Sequence, residues 1–236
     1  MVELTKEELQ SNKETFLSIL KTALATRPGA RVEELVNKLE SSDFFYAPAS
    51  TRYHGAYVGG LCDHCLNVYH NAISIAKNKH LLAVHDTSTD ENGNSVDVIV
   101  ESGIEESSIA IVTLLHDFSK MNYYRLENRN KKVYCKGGSK HDGGGAFDWV
   151  SVPGYVTIPP EERFIYGSHE ETAEFMTRQY VPLTYEESTA ILHHHFAMSY
   201  DSIKDAGVVG NVYNKYPLAT LLHVADTLAA FMDERY

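Results

Sequence analysis

Apolar and polar positions alternate with a helical period along most of the chain. In residues 5–25, Leu9, Phe16, Leu20 and Leu24 recur at helical spacing, and Thr5 with Glu8 forms a capping box at the start. The pattern breaks at Pro28–Gly29 and resumes as a second helix to about Ser41. FFYAPASTRYHGAYVGG (44–60) reads as an aromatic, glycine-bearing loop, and a third helix runs from near Leu61 to about Asn78. HDTSTDENGNSVDVIVESG (85–103) is polar and predicts an exposed loop, followed by a helix from about Glu105 to Lys120. Residues 121–160 are rich in Gly, Pro, Tyr and Val and read as hairpin or irregular chain. Three further helices start at Ser168 (capping box with Glu171), at Thr184 (with Glu187) and at Pro217. The expectation is an all-α helical bundle with an irregular or β-hairpin insertion at about 121–160. Residues 1–49 would form a helical segment packed on a core domain of 50–236.

Composition narrows the function classes. With 236 residues, 43% apolar and 22% charged, the chain suits one compact fold with an elaborated insertion. A net charge of −11 disfavours a large nucleic-acid-binding face. No apolar run approaches the length of a membrane span, and MVELTKEELQ lacks the features of a signal peptide. Three cysteines suit a reducing cytoplasm better than a disulfide framework, so the expectation is a cytoplasmic protein without membrane contact. The unusual total is histidine, with twelve.

Several of those histidines interrupt apolar faces. IAIVTLLHDFSKMNYY (109–124) carries His116 and Asp117 within an apolar run, where a buried carboxylate costs several kcal/mol unless a positive group compensates it. His64 borders the stripe Leu61, Cys65, Val68 and Ala72, and Asp226 stands four residues after Leu222 and three before Ala229. His169 opens its helix, and AILHHHFAM (190–198) sets His193, His194 and His195 in a row. Singly, an inward histidine fits a hydrogen-bonded core residue, Asp226 fits a solvent-facing position or cap, and the triplet fits a solvated helix end. Together they are less easily dismissed.

The ordered set His64, His116–Asp117, His169, His194–His195, Asp226 resembles the HD superfamily of metal-dependent phosphohydrolases. HGAYVGGLCDHCLNV, LLHDFSK and ATLLHVADTLAAFMDE resemble the segments around the first ligand, the HD-x-x-K and the final aspartate of HD-type exoribonucleases. Those enzymes carry an OB-type domain ahead of the HD domain, and residues 1–49 are too short and too helical to supply one. The chain is also similar to bacterial and phage HD hydrolases in the insertion followed by YGSHEETAEF. The resemblance implies an HD-domain bundle in which His64, His116, Asp117 and Asp226 hold a first metal. Asp117 would bridge to a second ion held by His169, His194 and His195. Such an imidazole and carboxylate set suits one or two of Mn, Fe, Co, Ni or Zn, and Mg more weakly. Bound metal brings the pKa of water from about 16 toward roughly 7 and clamps the oxygens of a phosphoryl displacement.

By the same resemblance, Lys120 would reach a substrate phosphate or orient Asp117, with a helix C-terminal lysine as the alternative. Arg52 and His54 are candidate phosphate contacts. Seven of the 21 Lys and Arg residues fall between Lys120 and Lys140, among them Arg125, which suits an anionic substrate. Tyr123, Tyr124, Tyr134 and Trp149 lie in or near the same insertion and suit nucleobase stacking. His70, His80, His85, His141 and His223 are assigned to surface or core. Cys62 and Cys65, with Cys135 and His141, lack the second cysteine pair of a structural zinc site and read as buried thiols. The expectation is a metal-dependent phosphohydrolase for a nucleotide or related small phosphorylated molecule, with Asp117 and Lys120 at the chemistry. The rivals are an HD-fold di-iron oxygenase, which needs one histidine where this chain has His194–His195, and a non-catalytic nucleotide- and metal-binding module.

Overall fold

A computed structural model of the chain describes residues 4–90, 94–164, 166–195 and 203–234. Phe196, Ala197 and Met198 of the histidine-bearing stretch lie outside the described residues. The chain opens with α1 (Lys6–Leu24) and α2 (Val32–Glu40), then the central helix α3 (Gly60–Asn78). A hairpin of β1 (Val84–Thr89) and β2 (Ser95–Glu101) leads to α4 (Glu106–Leu115) and a single 3-10 turn, Phe118–Lys120. The insertion follows as β3 (Tyr124–Tyr134), β4 (Lys140–Asp142) and β5 (Gly145–Thr157). The remaining helices are α5 (His169–Arg178), α6 (Tyr185–Leu192), α7 (Ile203–Lys215) and α8 (Pro217–Leu228), the last running into a π-helical turn, Ala229–Asp233.

Two apolar clusters form the core, and α3 and α4 belong to both. One gathers Phe16, Leu20, Leu35, Phe44, Leu61 and Leu114. The other gathers Val68, Ile109, Val112, Ile191, Leu222 and Ala225. Every residue of α4 from Ile109 to Leu115 is buried, so this helix is apolar all round because it is packed all round. Each large side chain so buried contributes about 1.5–3 kcal/mol. The result is that the C-terminal end of α4, where His116 and Asp117 stand, is fixed between the two clusters.

The all-α expectation is corrected: the fold is mixed, mostly helical, with two antiparallel sheets among the described residues. The expected loop at 85–103 is the β1–β2 hairpin, closed at its base by the Leu82–Ile104 bridge. The insertion is a three-stranded sheet in the order β3-β5-β4, with β3 and β5 paired from Tyr124–Thr157 to Tyr134–Phe147. Strands β1 and β3 expose most of their residues without alternation, and β2 alternates only over its first five residues, with Val96 and Val98 half-buried. Helix α7 is an addition to the three helices expected after residue 160. Among the described residues no helix is long and apolar enough to cross a membrane.

Candidate metal centre

Seven side chains reach one locus from the ends and faces of separate helices. His64 projects from the second turn of α3 and is fully buried. His116 caps the C-terminus of α4, its N–H bonded to Val112 O. Asp117 lies outside the helix, at φ −104° and ψ 19°, between the α-helix and the 3-10 turn. The expected helix to Lys120 therefore ends at Leu115. Aspartate is a poor helix-interior residue, and the break lets its carboxylate turn inward. His169 is the first residue of α5, behind Ser168, whose capping box with Glu171 is formed. His194 and His195 follow the end of α6, whose own Thr184–Glu187 box is also formed. Asp226 is buried on α8.

Asp117 stands between two groups of imidazoles. Its Oδ2 lies 3.4 Å from His116 Nε2 and 3.7 Å from His64 Nε2. Its Oδ1 lies 3.3 Å from His169 Nε2 and 3.9 Å from His194 Nε2. Asp226 joins the first group, with Oδ1 3.1 Å from His64 Nε2, and reaches His195 Nε2 through Oδ2 at 3.3 Å. Donor atoms within 4.8 Å of one another, close enough to share an ion, occur in His64–His116–Asp117, His116–His194–Asp226, His169–His194–His195 and His54–His64–Glu234.

The outer ring nitrogens settle which way these imidazoles face. His116 Nδ1 donates to Thr113 O at 2.8 Å, and His194 Nδ1 donates to Ile191 O at 2.7 Å. Carbonyl oxygens only accept, so each ring carries its proton there and turns an Nε2 lone pair inward. His64 Nδ1 is 2.9 Å from Glu234 Oε1, and Glu170 spans His169 Nδ1 at 3.1 Å and His195 Nδ1 at 3.3 Å. Inside, His116 Nε2 meets His64 Nε2 at 3.3 Å, and His169 Nε2 meets His194 Nε2 at 3.2 Å. Lone pairs facing lone pairs and carboxylates repel unless a proton or a cation lies between them. Asp117 Oδ1 is also buried without a hydrogen-bond partner. Donor types, ring orientation and this orphaned oxygen all fit divalent transition ions.

Protonation follows the same demand for positive charge. Burial opposes charging His64, but the Asp226 and Glu234 carboxylates outweigh it and lift its pKa to about 10. Burial likewise opposes a charged His195, and Asp226 and Glu170 raise it to about 9. His194 is driven well down by burial and by the neighbouring His195, His116 and His169. Burial acts to raise Asp117, yet Lys120 and His116 hold it well below the carboxylate range. Burial pushes Lys120 down, and Asp117 more than reverses it.

The candidate substrate contacts divide. Lys120 Nζ is 2.7 Å from Asp117 Oδ2. The His54 ring packs 4.9 Å from that of His64, and burial, then His64 and Lys120, lower its pKa to about 4. This approach depends on Gly60, where a Cβ would lie 2.0 Å from Gly55 O. Arg52 is exposed, with its guanidinium over the Tyr53 ring, and Arg125 is engaged by Glu127 and Glu162. Tyr124 donates to Ala49 O beside the site, while Tyr134 and Trp149 stand exposed on the ribbon. Cys62 and Cys65 are buried, Cys135 is exposed, and no cysteine joins a metal-capable group among the described residues.

Glu170, Glu234 and the support given by His223, whose Nδ1 donates to His194 O at 2.7 Å, were not anticipated from the sequence. Glu170 adjoins His169 and was open to notice. Glu234 comes eight residues after Asp226, and the π-helical turn between them bends the helical register that brings it to His64. A scan against protein-family models, a search of curated proteins and a search of solved structures each return no match.

Proposed function

We propose that the chain is a divalent-metal-dependent phosphohydrolase of the HD type, acting on a nucleotide or a related small phosphorylated molecule. The observation that carries the reading is the division of Asp117, one oxygen toward His64 and His116, the other toward His169 and His194. His64, His116, Asp117 and Asp226 would hold one ion, and Asp117, His169, His194 and His195 a second. Such ions acidify water toward neutral pH and polarise phosphoryl oxygens. The chain's own part is to fix the donors. Thr113 O and Ile191 O lock two rings, and Glu234 and Glu170 orient three more, while His169 and His195 keep the site open to solvent on one side. Lys120 holds Asp117 in place and keeps a positive charge beside it. His54 adds an imidazole at the edge of the site toward a phosphate oxygen.

A screen of phosphomonoesters and phosphodiesters with Mn, Co, Ni, Zn and Mg tests this reading. Phosphate release that depends on the metal, and that Asp117→Ala eliminates together with bound metal, is the expected result. Iron in the purified protein with oxygen consumption and no phosphoester turnover would replace the reading with an oxygenase.

A further inference from the structure

Two buried polar atoms outside the ligand cluster face the same cavity and have no hydrogen-bond partner among the described residues: Ser119 Oγ and Arg163 Nε. Both residues line a cavity of about 60 Å³ whose wall includes His169 and Tyr123. Both also line an adjoining cavity of about 380 Å³ that extends past Phe164 to Met176 and Tyr180. The two form one groove that starts at a metal-site histidine and leads away from it. Buried donors left unsatisfied are costly, and in native proteins they commonly mark the place of a ligand or water.

Arg163 is set apart from the other arginines that hold carboxylates. Arg27, Arg31, Arg125 and Arg178 each pair with a glutamate. Glu162, the neighbour of Arg163, is taken by Arg125. The Arg163 guanidinium instead lies over the Tyr123 ring, 4.5 Å from its centroid, which orders the side chain, and it has no carboxylate partner among the described residues. A planar, ordered guanidinium suits a phosphate oxygen pair. Further along the groove, Phe164 stacks on Phe175 and offers an exposed aromatic face. A cavity of about 380 Å³ falls in the usual range for small-molecule sites.

We propose that this groove binds the substrate beyond its reacting group: Arg163 and Ser119 grip phosphate oxygens beside His169, and the larger cavity takes a nucleoside. The proposal rests on the phosphohydrolase reading above and adds residues that neither the sequence motifs nor the metal geometry identify.

Titration calorimetry on the metal-loaded protein tests it, with the non-hydrolysable phosphonate analogue of adenosine 5′-monophosphate and with ribose 5-phosphate as probes. The expected result is tighter binding of the nucleotide analogue than of the sugar phosphate. Arg163→Gln should weaken both by at least tenfold with metal content unchanged, and Arg163→Lys should recover part of the loss. Ser119→Ala, the smaller change, should weaken both probes by about threefold and decides the matter if Arg163→Gln does not fold. Failure of the analogue to bind the wild-type protein at millimolar concentration, or equal affinity in wild type and variants, would overturn the proposal. Binding as expected with no phosphate release from any ester would leave the groove standing and remove the phosphohydrolase reading. Turnover with a KM untouched by the Arg163 variants would do the reverse.

Discussion

Lys120 Nζ and Asp117 Oδ2 lie 2.7 Å apart across the 3-10 turn, and both side chains are largely withdrawn from solvent. A pair so placed is costly to break from one side, because the survivor is left charged and buried. Asp117→Asn should destabilise the metal-free protein by about 3–5 kcal/mol. Asp117→Asn combined with Lys120→Met should recover much of that loss. Urea unfolding of the three proteins in chelator gives the comparison, and a double variant no more stable than the single one would refute the pairing argument.

Glu234 touches His64 only at its outer nitrogen, so its effect on metal passes through ring orientation and basicity. Glu234→Gln should lower metal affinity by about 10- to 100-fold while leaving the helix content unchanged. Competition with a chromogenic chelator measures this, read beside circular dichroism. Unaltered affinity would show that the carboxylate does not position the ligand.

Binding to the folded chain alone must raise its stability. At a free metal concentration of about one hundred times Kd, the gain is about 2.7 kcal/mol. For a chain of this size that corresponds to roughly 5–10 °C in Tm. Thermal scans with Mn or Co, reversed by chelator, should show the shift, and His116→Ala should lose most of it.

Glu187 is fully buried and serves three partners: the Thr184 backbone N–H, the Ser108 hydroxyl and the Arg27 guanidinium. Glu187→Ala removes one half of the α6 capping box and strands Arg27, a loss of about 3 kcal/mol or more. Because α6 leads directly into His194 and His195, metal content should fall with stability. Elemental analysis beside denaturation separates that result from a purely structural one.

The parts of the fold visible in the sequence are those fixed by near neighbours. The capping boxes at Thr5, Ser168 and Thr184 all form as their four-residue spacing predicts. The inward placement of His64, His116 and Asp226 follows from their apolar neighbours. What the sequence does not make legible depends on geometry between distant segments. Strands β1 and β3 are exposed ribbons whose burial does not alternate, so pairing across the hairpin, not side-chain pattern, defines them. Apolar neighbours put Asp117 on the expected helix, whereas its inward aim comes from the helix ending at Leu115, two residues earlier. Glu234 reaches His64 through a π-helical turn, and a period of 3.6 does not anticipate that change of register.

The contact between His64 and Glu234 spans 170 residues. On the ribosome, at about 5–20 residues per second, the histidine waits roughly ten seconds or longer for the carboxylate that will hold it. For most of that interval α3 and α4 are complete while Asp226 and Glu234 do not yet exist. The orientation of His64 is thereby made a late event, and any nascent chain halted before α8 carries this imidazole without the carboxylates that hold it.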